Sequence, residues 1–315
     1  MVITLAVQDS TEIDLIWGCN AERQLEVHWL VDLLSPLQPH WVEATENLNP
    51  DQLTAGRPRV LIETGLLLLE RHASHERQQI LKQQRLQRLH TLSSIGRFTL
   101  IHISDEEGLD GDQLYPMLPE TTTIWRNFTY DRFDTNNLIY HFPIGPRKEF
   151  LGSLGQKTAS ERTIPWAFMG TLWRTGNRTL ATSIFLKDHP SGEFFGGKFF
   201  GGGLPIEQYR DRLQNSIFAL CPEGDRHFDT FRLYESLQAG CIPLVAERDG
   251  QAFRLLGPEF PMPIFETWKT ASKFVGEHLK NPETLNLLQM QCKQWWNASK
   301  SRLSEKLRQT VQEIA

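Results

Sequence analysis

The run Ser216-Ile-Phe-Ala-Leu-Cys-Pro-Glu-Gly-Asp-Arg-His-Phe-Asp-Thr-Phe-Arg-Leu-Tyr-Glu-Ser-Leu-Gln-Ala-Gly-Cys-Ile-Pro-Leu-Val245 reads as strand, polar loop, helix, strand. Ser216 to Cys221 is a short apolar run that Pro222 ends, as a buried strand requires. Glu223 to Phe228 is polar loop. Asp229 or Thr230 is placed to cap the next helix. Leu233 and Leu237 repeat at i, i+4 between Phe231 and Tyr234, so this helix turns one face to a core. Gly240 ends it, and Ile242 to Ala246 begins the following strand.

That layout fixes where charge can work. Arg232 falls in the first turn of a helix that starts at the carboxyl end of a strand. Free N–H groups and the positive helix end favour an anion there. A guanidinium added to that turn grips a diphosphate bidentately. Glu235, three residues on, lies on the same face and is suited to ribose hydroxyls. The competing reading is an exposed i, i+3 ion pair worth only a few tenths of a kcal/mol. The flanking buried strands favour the ligand edge, because open α/β sheets bind ligands outside the carboxyl ends of their strands.

Outward from this stretch the alternation continues. Asp14 to Gly18, Arg59 to Glu63, Phe98 to Ile103, Thr122 to Arg126 and Leu138 to Phe142 read as strands. Glu22 to Leu34 and Leu66 to Leu92 read as helices, the second partly solvated. His141-Phe-Pro-Ile-Gly-Pro146 is dense in backbone punctuation and marks a boundary. Trp166 to Met169 then starts a second series, with helices over Arg178 to Phe185 and Ile206 to Leu213. Phe194 to Gly203 reads as a low-complexity loop. Ala271 to Leu279 and Pro282 to Ile314 are closing helices. Two successive α/β series predict two domains, with a ligand in the cleft where they meet.

Bulk properties narrow the classes. The chain has 315 residues, ordinary globular composition and a formal charge of −5, from 33 basic and 38 acidic residues. A general nucleic-acid binder would be basic, so nucleic acid is not expected as a partner. No run approaches the ~20 apolar residues that span a bilayer. The N-terminus lacks a basic region and carries Asp9, Glu12 and Asp14, unlike a secretory signal. Cys19, Cys221, Cys241 and Cys292 are scattered and are expected to be reduced thiols of a cytoplasmic protein.

The stretch also resembles the signature of the exostosin-like glycosyltransferases. The matching residues are Cys221-Pro222, Gly224-Asp225, Thr230-Phe231-Arg232, Glu235 and Ala239-Gly240-Cys241-Ile242-Pro243. Weaker echoes lie at Leu100 to Glu107, Arg126-Asn127-Phe128, Phe142 to Gly145 and Phe168-Met169-Gly170. The resemblance implies a GT-B-like α/β fold of two facing Rossmann-like domains. On that basis residues 1–145 form the acceptor-side domain and 146–290 the nucleotide-sugar-binding domain. A helix over 291–315 crosses back to the first domain. It further implies inverting transfer from a UDP-sugar to a glycan or other hydroxyl acceptor. Arg232 would hold the pyrophosphate, Glu235 the nucleoside, and Arg174 or Arg178 would supply a second phosphate contact. Against secretory-pathway members, which carry a membrane anchor and disulfides, the sequence shows neither pattern, and the expectation is a bacterial-type cytosolic enzyme. Its acceptor would be a glycan or a lipid-linked glycan, with peripheral membrane contact allowed.

The remaining chemistry is assigned by position. Asp225, His227 and Thr230 lie beside the expected donor site. No Asp-x-Asp pair is present, so no metal cofactor is expected. The base should come from the first domain, and Asp105, Glu106 and His141 are the candidates; for the first two the competing role is capping of the acidic turn. The Trp295-Trp296 pair is expected to pack between the domains. A nucleotide-sugar epimerase and a non-catalytic glycan- or partner-binding protein of the same ancestry stay open as alternatives.

Overall fold

A computed structural model describes residues 12–18, 24–44, 46–66, 74–134, 136–152, 157–173, 177–197, 203–247 and 250–313. Contacts divide the chain into two units, Met1–Phe142 with Arg302–Ala315, and Pro143–Ser301.

In the first unit, short β-branched and aromatic runs between Gly and Pro residues form a six-stranded parallel sheet. Its strands are β1 (Ile13–Trp17), β2 (Pro39–Glu43), β3 (Arg59–Thr64), β4 (Thr99–Ile103), β5 (Thr123–Arg126) and β6 (Ile139–His141), in the order β2-β1-β3-β4-β5-β6. The described helices here are α1 (Val27–Leu34), α2 (His75–Ile95) and the short α3 (Leu109–Leu114). β1, β3 and β4 are buried almost throughout, as expected of parallel strands covered on both faces. Ile16, Leu61, Leu92, Phe98 and Leu100 share one core cluster.

The second unit repeats the plan. β7 (Ile164–Thr171), β8 (Glu193–Gly197), β9 (Ser216–Leu220), β10 (Ile242–Ala246) and β11 (Ile264–Phe265) form a parallel sheet in the order β11-β10-β9-β7-β8. Its helices are α4 (Arg178–Asp188), α5 (Ile206–Asn215), α6 (Phe231–Gln238), α7 (Gln251–Leu256), α8 (Trp268–His278) and the long α9 (Pro282–Gln312). The end of α9, from Arg302, groups with the first unit. There Trp125 Nε1 donates to Thr310 Oγ1 at 3.0 Å, and Ser304 Oγ donates to the Leu33 carbonyl at 2.8 Å.

Both sheets reverse their winding once. In the first unit the order changes direction between β1 and β3, and in the second between β7 and β9. At such a switch point the adjoining loops run to opposite faces and leave a crevice at the carboxyl edge, where ligands of these folds bind.

Three sequence expectations are corrected. Phe194 to Gly197, read as loop, belongs to β8; residues 198–202 of that run lie outside the described residues. The helix expected over Leu66 to Leu92 is described from His75, with Ser74 as its cap accepting from the Arg77 N–H. The helix is partly solvated as expected, with Ile80 and Leu86 exposed, while Arg85 and Arg88 are buried and paired with Asp110 and Glu63. Finally, Trp295 and Trp296 pack within the second unit, against Phe260 and Tyr234.

Candidate functional site

In the second unit the site is built on three chain segments that end at the β7/β9 switch point. The end of β9 passes through Cys221 and Pro222 into the loop Glu223–Thr230, and α6 starts at Phe231. Thr230 is the cap by position, and its side chain makes no cap hydrogen bond. His227 shapes the loop from within. Its carbonyl accepts from the Gly224 N–H at 2.8 Å, and its Nδ1 accepts from the Asp229 N–H at 3.0 Å. That bond puts the proton of the neutral ring on Nε2.

Asp229 does not cap α6. Its carboxylate accepts from Tyr234 Oη at 2.6 Å and from the Ile144 N–H at 3.0 Å, tying α6 to the Phe142–Gly145 stretch. Asp225 is exposed beside Arg226, with Oδ2 3.5 Å from its Nε.

Arg232 is only 8% exposed. Its guanidinium lies over the Phe168 ring, 4.5 Å from the centroid, and its Nε donates to the Met169 carbonyl at 3.2 Å. Nη1 is buried with no hydrogen-bond partner. Among the described residues no carboxylate stands within ion-pair distance of it. Gly170 makes room for this placement, since a Cβ there would land on Nη2. A buried cation that keeps an unused donor is costly unless an anion completes it. Cation–π contact with Phe168 offsets part of that cost and orients the fork.

Arg178 reaches the same edge from the first turn of α4. Its Nε donates to the Glu223 carbonyl at 2.7 Å and its Nη1 to the Thr171 carbonyl at 2.8 Å. It therefore clamps the end of β7 to the loop after β9. Arg174 lies outside the described residues.

Glu235 is 1% exposed and does not pair with Arg232. Its Oε2 accepts from Tyr209 Oη at 2.7 Å, and its Oε1 accepts from Arg147 Nε at 2.5 Å. The reading of Arg232 and Glu235 as an exposed i, i+3 pair is thus excluded. Burial pushes the Tyr209 hydroxyl well above its usual range, and the neighbouring Glu235 charge adds to this, so it stays a donor. Arg147 and Tyr209 were not singled out from sequence; Phe168 and Gly170 were noted there only within a weaker echo of the family signature.

At the carboxyl edge of the first sheet, Asp105 accepts from the Asp110 and Gly111 N–H groups at 3.1 and 2.9 Å. Arg126 Nη2 stands 3.2 Å from its Oδ2. The carboxylate therefore fastens the start of α3. Glu106 receives the Tyr130 hydroxyl on its backbone carbonyl. His141, at the end of the edge strand β6, holds Asp134 Oδ1 on Nε2 at 3.0 Å, while its Nδ1 is buried without a partner. Burial lowers the His141 pKa, against the opposing pull of Asp134, which favours the neutral ring. Sequence reading also passed over Glu26, a buried carboxyl just before α1 that takes the Ser104 hydroxyl.

The Exostosin GT47 domain model matches residues 131–287, about half the chain. The chain belongs to the exostosin-like glycosyltransferases. Exostosin-1a of Danio rerio is 35% identical over 71 residues, a match spanning 22% of this chain and 8% of that protein. The fold agrees across nearly the whole length. T4 phage BGT, solved with UDP and Mn2+, superposes with a TM-score of 0.52 at 11% identity, covering 95% of this chain and 99% of that one. Sucrose-phosphate synthase from Thermosynechococcus elongatus gives 0.55 at 9% identity, covering 96% and 99%. These place the family member in the GT-B fold class, with two Rossmann-like units. No helix among the described residues is long and apolar enough to cross a membrane.

Proposed function

We propose that the chain transfers a sugar, with inversion, from a UDP-sugar to a hydroxyl of a glycan or lipid-linked glycan. The observation that carries this reading is the Arg232 guanidinium: buried, without a carboxylate partner, and seated at the switch point beside a helix start. A diphosphate completes it. The α6 N-terminus adds N–H groups and a positive end, and Arg178, Asp225, His227 and Thr230 line the approach. Stabilising the leaving diphosphate in this way lowers the barrier electrostatically.

The nucleoside belongs at Glu235. A carboxylate offers about four lone-pair sites. Tyr209 and Arg147 use two of them, and the ribose hydroxyls take the rest. Two guanidiniums supply the positive charge that a metal supplies elsewhere, so donor binding is proposed to be metal-independent. The described cysteines are free and buried, which supports a reducing, cytoplasmic site of action.

Calorimetric titration with UDP tests the reading. Arg232→Ala should weaken binding by at least about tenfold, and Arg232→Lys should recover only part, because a point charge lacks the planar fork. Glu235→Gln should weaken UDP and leave pyrophosphate binding nearly unchanged. Wild-type UDP affinity in Arg232→Ala would overturn the assignment.

A further inference from the structure

Arg147 stands on a stretch of the second unit that is fastened on both sides. Before it, the Ile144 N–H donates to the Asp229 carboxylate at 3.0 Å, which ties the chain to the loop that leads into α6. Gly145 then turns the backbone at φ +69, in the left-handed region that glycine enters freely. After it, the Phe150 N–H closes a turn on the Arg147 carbonyl at 2.9 Å. The Phe150 ring is fully buried and meets Tyr209 edge-on, 5.4 Å between centroids. The Arg147 guanidinium itself lies over the Tyr209 ring, 5.5 Å from its centroid.

Two anchored donors therefore converge on one buried carboxylate. Arg147 Nε reaches Glu235 Oε1 at 2.5 Å, and Tyr209 Oη reaches Oε2 at 2.7 Å. Each oxygen has a separate holder, so the carboxylate plane is fixed. A glutamate held by one oxygen, or by none, keeps its rotamer freedom and loses that freedom when a ligand binds.

We infer that Arg147 is a positioning residue for the nucleoside, and that the group Arg147–Glu235–Tyr209 distinguishes ribose from deoxyribose. The inference rests on the donor-site reading above. With one donor on each oxygen, open lone-pair sites remain on both oxygens. Ribose offers two neighbouring hydroxyls to such a pair. A 2′-deoxyribose offers one, and leaves a buried charged acceptor unpaired, which is the situation in which a polar site rejects an analogue. Arg147 also supplies the cation that a buried carboxylate requires. Burial alone would lower the Arg147 pKa, but the Glu235 charge and hydrogen bond outweigh it and hold it above its usual value, so the pair stays ionised.

The test is calorimetric titration of UDP, 2′-deoxy-UDP and pyrophosphate into wild type, Arg147→Ala and Arg147→Lys, with circular dichroism to follow the fold. Wild type should prefer UDP to 2′-deoxy-UDP by at least about tenfold. Arg147→Ala should lose most of that preference, through weaker UDP binding, while pyrophosphate binds as in wild type. Arg147→Lys should recover part of the preference, since it restores the charge without the planar fork. An arginine that only supports the fold predicts a different pattern: all three ligands weaken together and the UDP to 2′-deoxy-UDP ratio stays put. That pattern, or equal affinity of wild type for the two nucleotides, would overturn the inference and leave the donor site standing. If the alanine variant unfolds, an unchanged ratio in Arg147→Lys overturns it instead. A wild-type chain that binds neither UDP nor pyrophosphate would remove the donor-site reading itself.

Discussion

Replacing Arg232 with Met separates a binding residue from a structural one, because the two roles predict opposite signs. In the unliganded protein the side chain gains one Nε–H bond to the Met169 carbonyl and the contact with Phe168. A hydrogen bond from a charged donor is worth about 1.5–3 kcal/mol, and a cation–π contact about 0.5–2 kcal/mol. Against these stands the burial of a charge with an unused Nη1, at several kcal/mol per ion. Methionine fills similar volume beside Phe168 and carries no charge. The unliganded variant should therefore be as stable as wild type or more so.

UDP affinity should move the other way. Losing a charge-assisted contact of about 1.5–3 kcal/mol corresponds to roughly 10- to 150-fold weaker binding. Urea unfolding and calorimetric titration with UDP, on the same preparations, read both quantities. Gain of stability with loss of affinity is the signature of a group held at a cost for its ligand. A variant that loses several kcal/mol of stability and binds UDP normally would refute the reasoning, since Arg232 would then be an ordinary packing residue.

Gly170→Ala should displace the Arg232 guanidinium through its new Cβ and weaken UDP binding while the fold persists, which titration and circular dichroism read together. UDP binding should survive EDTA; loss of affinity that manganese restores would count against metal-independent binding. Burial alone would raise the Asp110 carboxyl, but the His102 hydrogen bond and the Arg85 charge outweigh it and hold it well below the usual range. Its contribution is thus fully present above the unfolded value near ~4 and lost as pH falls below that. Asp110→Asn should cost about 3 kcal/mol at pH 7, with a gap to wild type that narrows in acid, as urea midpoints would record. Burial pushes the Cys221, Cys241 and Cys292 thiols up to about 12, 11 and 12. All three should resist alkylation at pH 8 until the chain is unfolded, which peptide mass mapping checks.

The parts of this fold that sequence carries are the local ones. The strand, loop and helix around Arg232 follow from apolar spacing and from Pro222 and Gly240, all within thirty residues of one another. The strands that sequence missed are β2, β8 and β11, and each lies at or beside an edge of its sheet. An outer strand needs no continuous apolar run. β2 reads Pro-His-Trp-Val-Glu with one fully buried position, and β8 reads Glu-Phe-Phe-Gly-Gly with one. Period and apolarity, the two signals a single sequence offers, are weakest there.

The site was legible by the same measure. Arg232 and Glu235 stand in one helix, so their spacing is visible. Glu235's partners are 26 and 88 residues away, and the Met169 carbonyl is 63 residues from Arg232. No periodicity encodes such pairings. Burial of charge is equally silent in sequence, since arginines are read as solvated by default. This chain buries Arg85, Arg88, Arg126, Arg162, Arg178 and Arg232. Arg85, Arg88 and Arg126 meet the carboxylates of Asp110, Glu63 and Asp105. Arg162 spends its donors on the carbonyls of Leu213, Ser216 and Ala239, which fastens the base of the second sheet. Arg232 has neither a carboxylate nor a full set of carbonyls. Residue type and burial are common to all six, and Arg85 and Arg88 also keep a nitrogen without a hydrogen bond; an unused donor at a switch point with no carboxylate within ion-pair distance is the feature that marks a cation kept for a ligand.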